Sequence, residues 1–282
     1  MLRRIGKLLS HPGFRAEPLS VLTRAATWAA CVATGRQPVF TLTPAGERLR
    51  VPADMRYTSV ATFLLRDWSE PELRQLHLFI RPGDAFVDVG ANIGLFTLKA
   101  ASIVGPKGRV VAVEPGLEAS QRLAENLALN ERSNIRQVRS ALADTIGQAT
   151  LHHVNMGDDP QAFSLLSDGS GSGGENVPVT TLDALAADLG LERIDCIKID
   201  VEGAEERVIR GAQESLRRWH PTVIFEANCP TLTSQGVPTD AAWNQLRELG
   251  YRFYLLDDDS KLSEVTRMPA DYCNIIARHP SR

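Results

Sequence analysis

A chain of 282 residues can bury a sizeable core, and 43% hydrophobic with 23% charged residues is the balance of a globular protein. Its net charge of −3 argues against a dedicated nucleic-acid binder, which carries a basic excess to neutralise phosphates. No stretch reaches the ~18 uninterrupted apolar residues of a membrane span. Cys31, Cys196, Cys229 and Cys273 lie far apart with no CxxC pair, which argues against a zinc site and for reduced thiols in a cytoplasmic protein.

The first 50 residues hold eight Lys/Arg against Glu17 and Glu47, a local excess of +6. Residues 1 to about 36 read as helix, broken around His11-Pro12-Gly13, with an apolar patch, VLTRAATWAACVA, interrupted by Arg24. A helix packed on the main domain is the plainest reading. A basic amphipathic helix that touches a membrane surface or a partner is the alternative, and a signal peptide fits less well because no small-residue cleavage site follows cleanly. PVFTLTPAGERLRVP alternates apolar and polar residues around Pro44-Ala45-Gly46, the pattern of a small hairpin. In SEPELRQLHLFI, Ser69 reads as an N-cap, Pro71 sits just inside and Glu72 completes a capping box. Residues 1–68 are therefore predicted as a helical and hairpin extension, and 69–282 as the main domain.

AFVDVGANIGLF (85–96) is a buried strand running into a glycine turn and a helix. Strand GRVVAVEPG, helix LEASQRLAENLALN and strand IRQVRSALA follow. This alternation implies parallel pairing through right-handed crossovers, a doubly wound sheet. ATLHHVN is extended, and SDGSGSGGEN reads as a mobile surface loop. A short strand then feeds a helix capped at Thr180 or Thr181. Strand IDCIKIDVEG, helix AEERVIRGAQESLRRW and strand PTVIFEAN come next, and the last two strands, YRFYLLD and YCNIIAR, suggest an antiparallel strand slotted into the parallel sheet.

Ligands of such sheets lie beyond the carboxyl ends of the strands. Those ends carry Asp88–Gly90, Glu114, Ser140–Ala141, Asp200–Glu202 and Glu226–Asn228. The glycine turn lets a ligand approach the backbone at a helix start. Glu114, 20 residues after Gly94, stands where a carboxylate accepts both hydroxyls of a ribose. A dinucleotide site prefers G-x-G-x-x-G; here Asn92 replaces the middle glycine, and Asp88-x-Gly90-x-x-x-Gly94 suits a smaller nucleoside such as S-adenosylmethionine. A nicotinamide-dependent oxidoreductase on the same sheet is the competing enzyme reading, and a non-catalytic cofactor-binding scaffold the competing non-enzyme one.

In IKIDVEG the strand period of two puts Lys198, Asp200 and Glu202 on one face. A lysine in an apolar central strand is costly unless paired, and Asp200 is its nearest candidate partner. Asp200, Glu202 and Glu226 are candidate proton acceptors for transfer to a hydroxyl, Asp200 first. Oxygen-rich clusters of this kind also bind Mg²⁺, but no metal is assigned. His152 and His153, adjacent on an extended piece, point opposite ways and suit the surface.

VDVGANIGLFT, AVEP, VTTLDAL, IKIDVEGAE and IFEAN, in that order, resemble the FkbM family of S-adenosylmethionine-dependent methyltransferases over about residues 70–278. The resemblance implies a class I methyltransferase fold, a seven-stranded sheet with the last strand antiparallel. It implies that Asp88, Gly90, Asn92 and Gly94 surround the methionine end of the cofactor, that Glu114 takes the ribose, and that Ser140 and Ala141 lie beside the adenine. It also implies O-methylation of a small-molecule or glycan hydroxyl, most readily a sugar; the net charge, as above, argues for no nucleic-acid partner.

Overall fold

A computed structural model describes residues 8–156, 159–164, 174–227, 240–257 and 259–282. After helical residues 8–10 come helices α1 (Pro12–Ala16) and α2 (Pro18–Thr34), each with proline in its first turn, where a missing N–H costs nothing. His11 caps α1 through its ring nitrogen, 3.1 Å from the Gly13 amide, so helix is interrupted at His11 as expected, and a second break falls at Glu17. Strands β1 (Val39–Thr41) and β2 (Arg48–Arg50) form the expected hairpin. Helix α3 (Tyr57–Leu65) follows. Val21 and Trp28 of α2 share a core with Phe40, Leu49 and Phe63, and that core also takes in Ile93 and Leu98 of the main fold.

The capping box at Ser69 does not form. Residues Arg66–Ser69 make a 3₁₀ turn, Glu70 occupies the N-cap without a side-chain bond, and α4 (Pro71–Arg74) lasts one turn. Glu72 is instead drawn into the interior, where a tertiary partner outcompetes the local one.

The main sheet uses β3 (Ala85–Val89), β4 (Arg109–Val113), β5 (Ile135–Val138), β10 (Cys196–Ile199), β11 (Thr222–Ala227), β12 (Arg252–Leu256), β13 (Leu262–Val265) and β14 (Cys273–Arg278). Its order is β13-β12-β14-β11-β10-β3-β4-β5. Five central strands are parallel, and β14 runs antiparallel between β11 and β12. The sheet thus has eight strands among the described residues, not seven. β13 adds an antiparallel edge to β12 through the alternation of KLSEVT. β3, β10 and β11 are buried along their whole length, as expected of parallel strands covered on both faces. Helices α5 (Leu95–Val104) and α6 (Leu117–Ala128) pack beside β3 and β4.

A second, four-stranded sheet joins β6 (Ala141–Leu142), β7 (Gly147–Met156), β8 (Asp159–Ser164) and β9 (Gly174–Thr180) in the order β6-β9-β7-β8. The glycine-rich stretch read as a loop runs into β9 from Gly174 onward because its backbone pairs with β7; residues 167–173 of it lie outside the described residues. Thr181 caps α7 (Leu182–Asp188), its hydroxyl 3.0 Å from the Ala184 amide. The long helix expected after β10 is two pieces, α8 (Glu205–Arg210) and α9 (Gln213–Trp219). They part at Gly211, where a Cβ would lie 2.0 Å from the Ala143 carbonyl oxygen. Helix α10 (Ala241–Glu248) precedes β12. Among the described residues no helix is long and apolar enough to cross a membrane.

Candidate active site

The chain leaves β3 toward β4 on one side and reaches β10 on the other, so the strand order reverses at β3. A cavity of about 610 Å³ opens there, at the carboxyl ends of the strands. Asp88, Gly90, Asn92, Glu114, Ser140, Ala141, Lys198, Asp200, Glu202 and Glu226 all line it. Asn228 lies outside the described residues.

The turn after β3 is built differently from its appearance in sequence. Gly90 has φ +80, and a Cβ there would sit 1.8 Å from the Asp200 carbonyl oxygen, so this glycine makes room for the chain leaving β10. Gly94 does not line the cavity; a Cβ on it would lie 2.7 Å from Leu123, and its glycine serves the packing of α6. Between them Asn92 takes a left-handed conformation, φ 48, which turns its amide toward Glu114.

Glu114 is 8% exposed. One carboxylate oxygen accepts from the Asn92 amide at 2.8 Å and the other from the Gly116 amide at 2.9 Å. Burial nonetheless pushes it up to about 7, against the pull of those two amides. Asp88 is buried and accepts from the Thr97 hydroxyl; burial raises it to about 6, while Thr97 and Lys198 oppose the rise. Ser140 donates to the Pro178 carbonyl at 2.9 Å, tying the rim to β9.

On the opposite wall Lys198 is 1% exposed, in register between Asp88 on β3 and Ile224 on β11. Its ammonium lies 3.0 Å from an Asp200 oxygen and 5.1 Å from the centre of the Phe96 ring. Burial works against its charge, but Asp200, Glu70 and Glu226 hold it above its ordinary value, so it stays an ammonium. The strand ends at Ile199, and Glu202 stands beyond it in a turn with φ 52 rather than on the strand face. Buried Glu205 holds that turn by accepting from the Val201 and Gly203 amides, and burial raises it to about 7. Asp200, Glu202 and Glu226 still meet: an oxygen from each lies within 4.8 Å of the other two.

Several lining residues were not read from the sequence. The Tyr272 hydroxyl donates to Glu226 at 3.1 Å. Asn274, in register with Glu226, donates to Glu72 at 3.1 Å and faces Glu70 at 3.5 Å. Burial raises Glu70 to about 7, and it raises Glu226 well above its ordinary value, reinforced by Asp200, Glu202 and Glu205. Pro52, Arg56, Thr58, Ser59 and Thr62 bring the N-terminal segment to the same cavity. His152 is half-buried and does not line the cavity; the His153 side chain and Cys229 lie outside the described residues. Cys196 is a buried small hydrophobe whose thiol burial pushes up.

A doubly wound sheet with an antiparallel strand inserted beside β11, and a cavity at its switch point, is the architecture of the class I methyltransferases. The chain belongs to the family described as "Methyltransferase FkbM domain", whose model matches residues 88–253, more than half its length. It is 29% identical over 158 residues to the 2-O-methyltransferase NoeI of Sinorhizobium fredii, covering 50% of this chain and 62% of that protein. It is 29% identical over 201 residues to the 31-O-demethyl-FK506 methyltransferase FkbM of Streptomyces tacrolimicus, covering 60% of this chain and 76% of that protein. The chain therefore spans less than two thirds of NoeI. Among solved structures, methyltransferase FkbM from Methylobacillus flagellatus aligns at a TM-score of 0.45 with 16% identity, over 79% of this chain and 54% of that one.

Proposed function

We propose that this chain transfers the methyl group of S-adenosylmethionine to an oxygen of a small molecule or glycan, a sugar hydroxyl being the acceptor class. The observation that carries this reading is one cavity with two chemically distinct ends: Glu114 fixed by two backbone amides at one, and Lys198, Asp200 and Glu226 at the other. Membership of the family supports methyl transfer, and the names of NoeI and FkbM, both O-methyltransferases, support oxygen as the acceptor atom.

The donor set fits the cofactor. Glu114 has both oxygens oriented and keeps lone pairs for the two ribose hydroxyls; Asp88 offers an acid near the charged methionine end; Gly90, Asn92, Ser140 and Ala141 give close backbone for the rest. When bound, the cofactor supplies a methyl group already made electrophilic by its sulfonium. The protein's part is then to bind, orient and deprotonate the acceptor.

Among the three acids, Glu226 is the better proton acceptor. Protonating Asp200 would take the counter-charge from a buried ammonium 3.0 Å away, an unfavourable step. Glu226 sits where burial has already raised its affinity for a proton, as a proton acceptor requires. Asp200, fixed by Lys198, orients the acceptor hydroxyl, and Glu202 borders it. Activity rises with pH as Glu226 loses its proton.

Calorimetry with S-adenosylhomocysteine tests the cofactor half: saturable binding is expected, severely weakened by Glu114→Ala or Asp88→Ala, and no heat of binding refutes the assignment, as would tighter binding of NAD(P). Labelled methyl transfer to methyl pyranosides tests the other half. Glu226→Gln is expected to lower kcat by about 10²–10⁴ while binding of S-adenosylhomocysteine persists; unchanged turnover would return the proton to Asp200.

A further inference from the structure

Tyr272 stands apart from the rest of the cavity wall. Of the exposed large apolar side chains among the described residues, it is the only aromatic one and the only one that lines the cavity; 62% of its surface meets solvent. An aromatic ring left in water forgoes burial that a folded chain normally exploits, so its exposure at a ligand cavity calls for a partner. The ring is not loosely hung. Its hydroxyl end reaches inward to Glu226 at 3.1 Å, on the short segment that leads into β14. Burial of that hydroxyl and the charge of Glu226 push its proton affinity up, so it remains a donor.

Glu226, Glu70 and Glu72 line the same cavity as the ring. Glu226 lies at its hydroxyl, and Asn274, two residues on, faces Glu70 and Glu72. A flat apolar surface with a carboxylate at its hydroxyl end complements a ring that carries C–H groups on its face and hydroxyls on its rim.

We propose that Tyr272 is the acceptor-docking residue of this site. Its exposed ring is the platform for a pyranoside or similar alicyclic polyol, and its hydroxyl positions the Glu226 carboxylate against that acceptor. The proposal rests on the methyltransferase reading and deepens it by naming the residue that selects the acceptor. Tyrosine suits the task because it offers a large, rigid, amphipathic contact at small conformational cost. Tyr272 removes no proton itself; it acts on the reaction through Glu226 and through where the acceptor sits.

The experiment uses the full chain saturated with S-adenosylhomocysteine. Methyl α-D-glucopyranoside, methyl α-D-mannopyranoside and methyl α-L-rhamnopyranoside are titrated, with saturation-transfer NMR from the aromatic protons of the protein. At least one pyranoside receives transfer, and Tyr272→Ala weakens its binding about tenfold while S-adenosylhomocysteine affinity stays within about twofold. Tyr272→Phe keeps the ring and so keeps pyranoside binding, but it deletes a donor to the charged form of Glu226. That form is then less favoured, and the carboxyl resonance of ¹³C-labelled Glu226 titrates at higher pH than in the unaltered protein. Failure of all three pyranosides to bind, or equal binding by Tyr272→Ala, overturns the platform. An unmoved Glu226 titration in Tyr272→Phe overturns the positioning role. If the unaltered protein does not bind S-adenosylhomocysteine, it is the methyltransferase reading that falls.

Discussion

At the amino end of β10, Asp195 is 2% exposed and accepts from Arg193, from Arg282 and from the Ala85 amide. Arg193 also bridges to Asp84. Burial works against the charge on Asp195, yet its hydrogen bonds from Arg193, Ala85 and Arg282 hold it below its ordinary value. At the carboxyl end of the same strand, Lys198 faces Asp200, Glu70 and Glu226, and Glu70 and Glu226 are displaced upward. Among the described residues one end sets two arginines against Asp195, whereas the other sets one lysine among several acids. The first arrangement fixes the strand in place. The second is unfavourable in the empty protein and makes chemical sense only around something that is bound.

The strongest way to break this contrast is to cut one charge from each end. Lys198→Met leaves Asp200, Glu70 and Glu226 without their shared cation. It is expected to cost about 2–4 kcal/mol, less than a fully buried pair would because a third of the Asp200 side chain meets solvent, and to abolish turnover. Asp195→Ala strands the Ala85 amide and two arginines at a cost of about 2–3 kcal/mol, but it leaves S-adenosylhomocysteine affinity unchanged. Chemical denaturation and calorimetry on both variants decide the matter; equal losses of cofactor affinity would mean the two ends are not separate.

How much of this was legible in the sequence follows from how local each feature is. β3 with its glycine turn, Glu114 at the end of β4 and the Lys198–Asp200 pair are each written within a few residues, where apolar runs and the period of two suffice. The partners of Glu226 and Glu72 were not legible. Tyr272 is 46 residues from Glu226, and Asn274 is 202 from Glu72, so only the tertiary fold brings them together. One trace did exist: an asparagine inside the apolar strand CNIIAR needs a partner, just as Lys198 does. Local rules also misled. Ser69 and Glu72 fit a capping box, yet Glu72 finds Asn274 instead, and Gly94 fits a ligand turn yet packs against Leu123 away from the cavity.

A milder perturbation sharpens the same contrast through pH. Asp88 is raised to about 6, and Glu70, Glu114 and Glu205 to about 7, so between about pH 4.5 and 7 the folded protein holds protons the unfolded chain has lost. Stability therefore falls as pH rises through that window. Glu226, also raised, adds to the same trend, and His279, held below its ordinary value, works in the opposite sense as one group against five. The ligand-free protein is expected to melt a few degrees higher at pH 5.5 than at pH 7.5, by calorimetry. A melting temperature that rises over this interval would mean that the acids at the carboxyl end are neutralised as thoroughly as Asp195.

The smallest effect is expected from removing metal. The oxygens of Asp200, Glu202 and Glu226 approach within 4.8 Å of one another, a cluster that could be read as a cation site. Mg²⁺ takes its ligands at ~2.0–2.1 Å in near-octahedral order. Asp200 already has its cation, the Lys198 ammonium at 3.0 Å, and Glu226 has the Tyr272 hydroxyl at 3.1 Å. A divalent ion would compete with both interactions for the same carboxylates. Turnover after dialysis against a chelator is thus expected to stay within about twofold of the untreated rate, and added Mg²⁺ to change it no further. Activity that is lost to the chelator and restored by Mg²⁺ would convert the three acids from proton handling to metal ligation, and the excess of negative charge at this end of β10 would then be matched by an ion rather than by cofactor and acceptor.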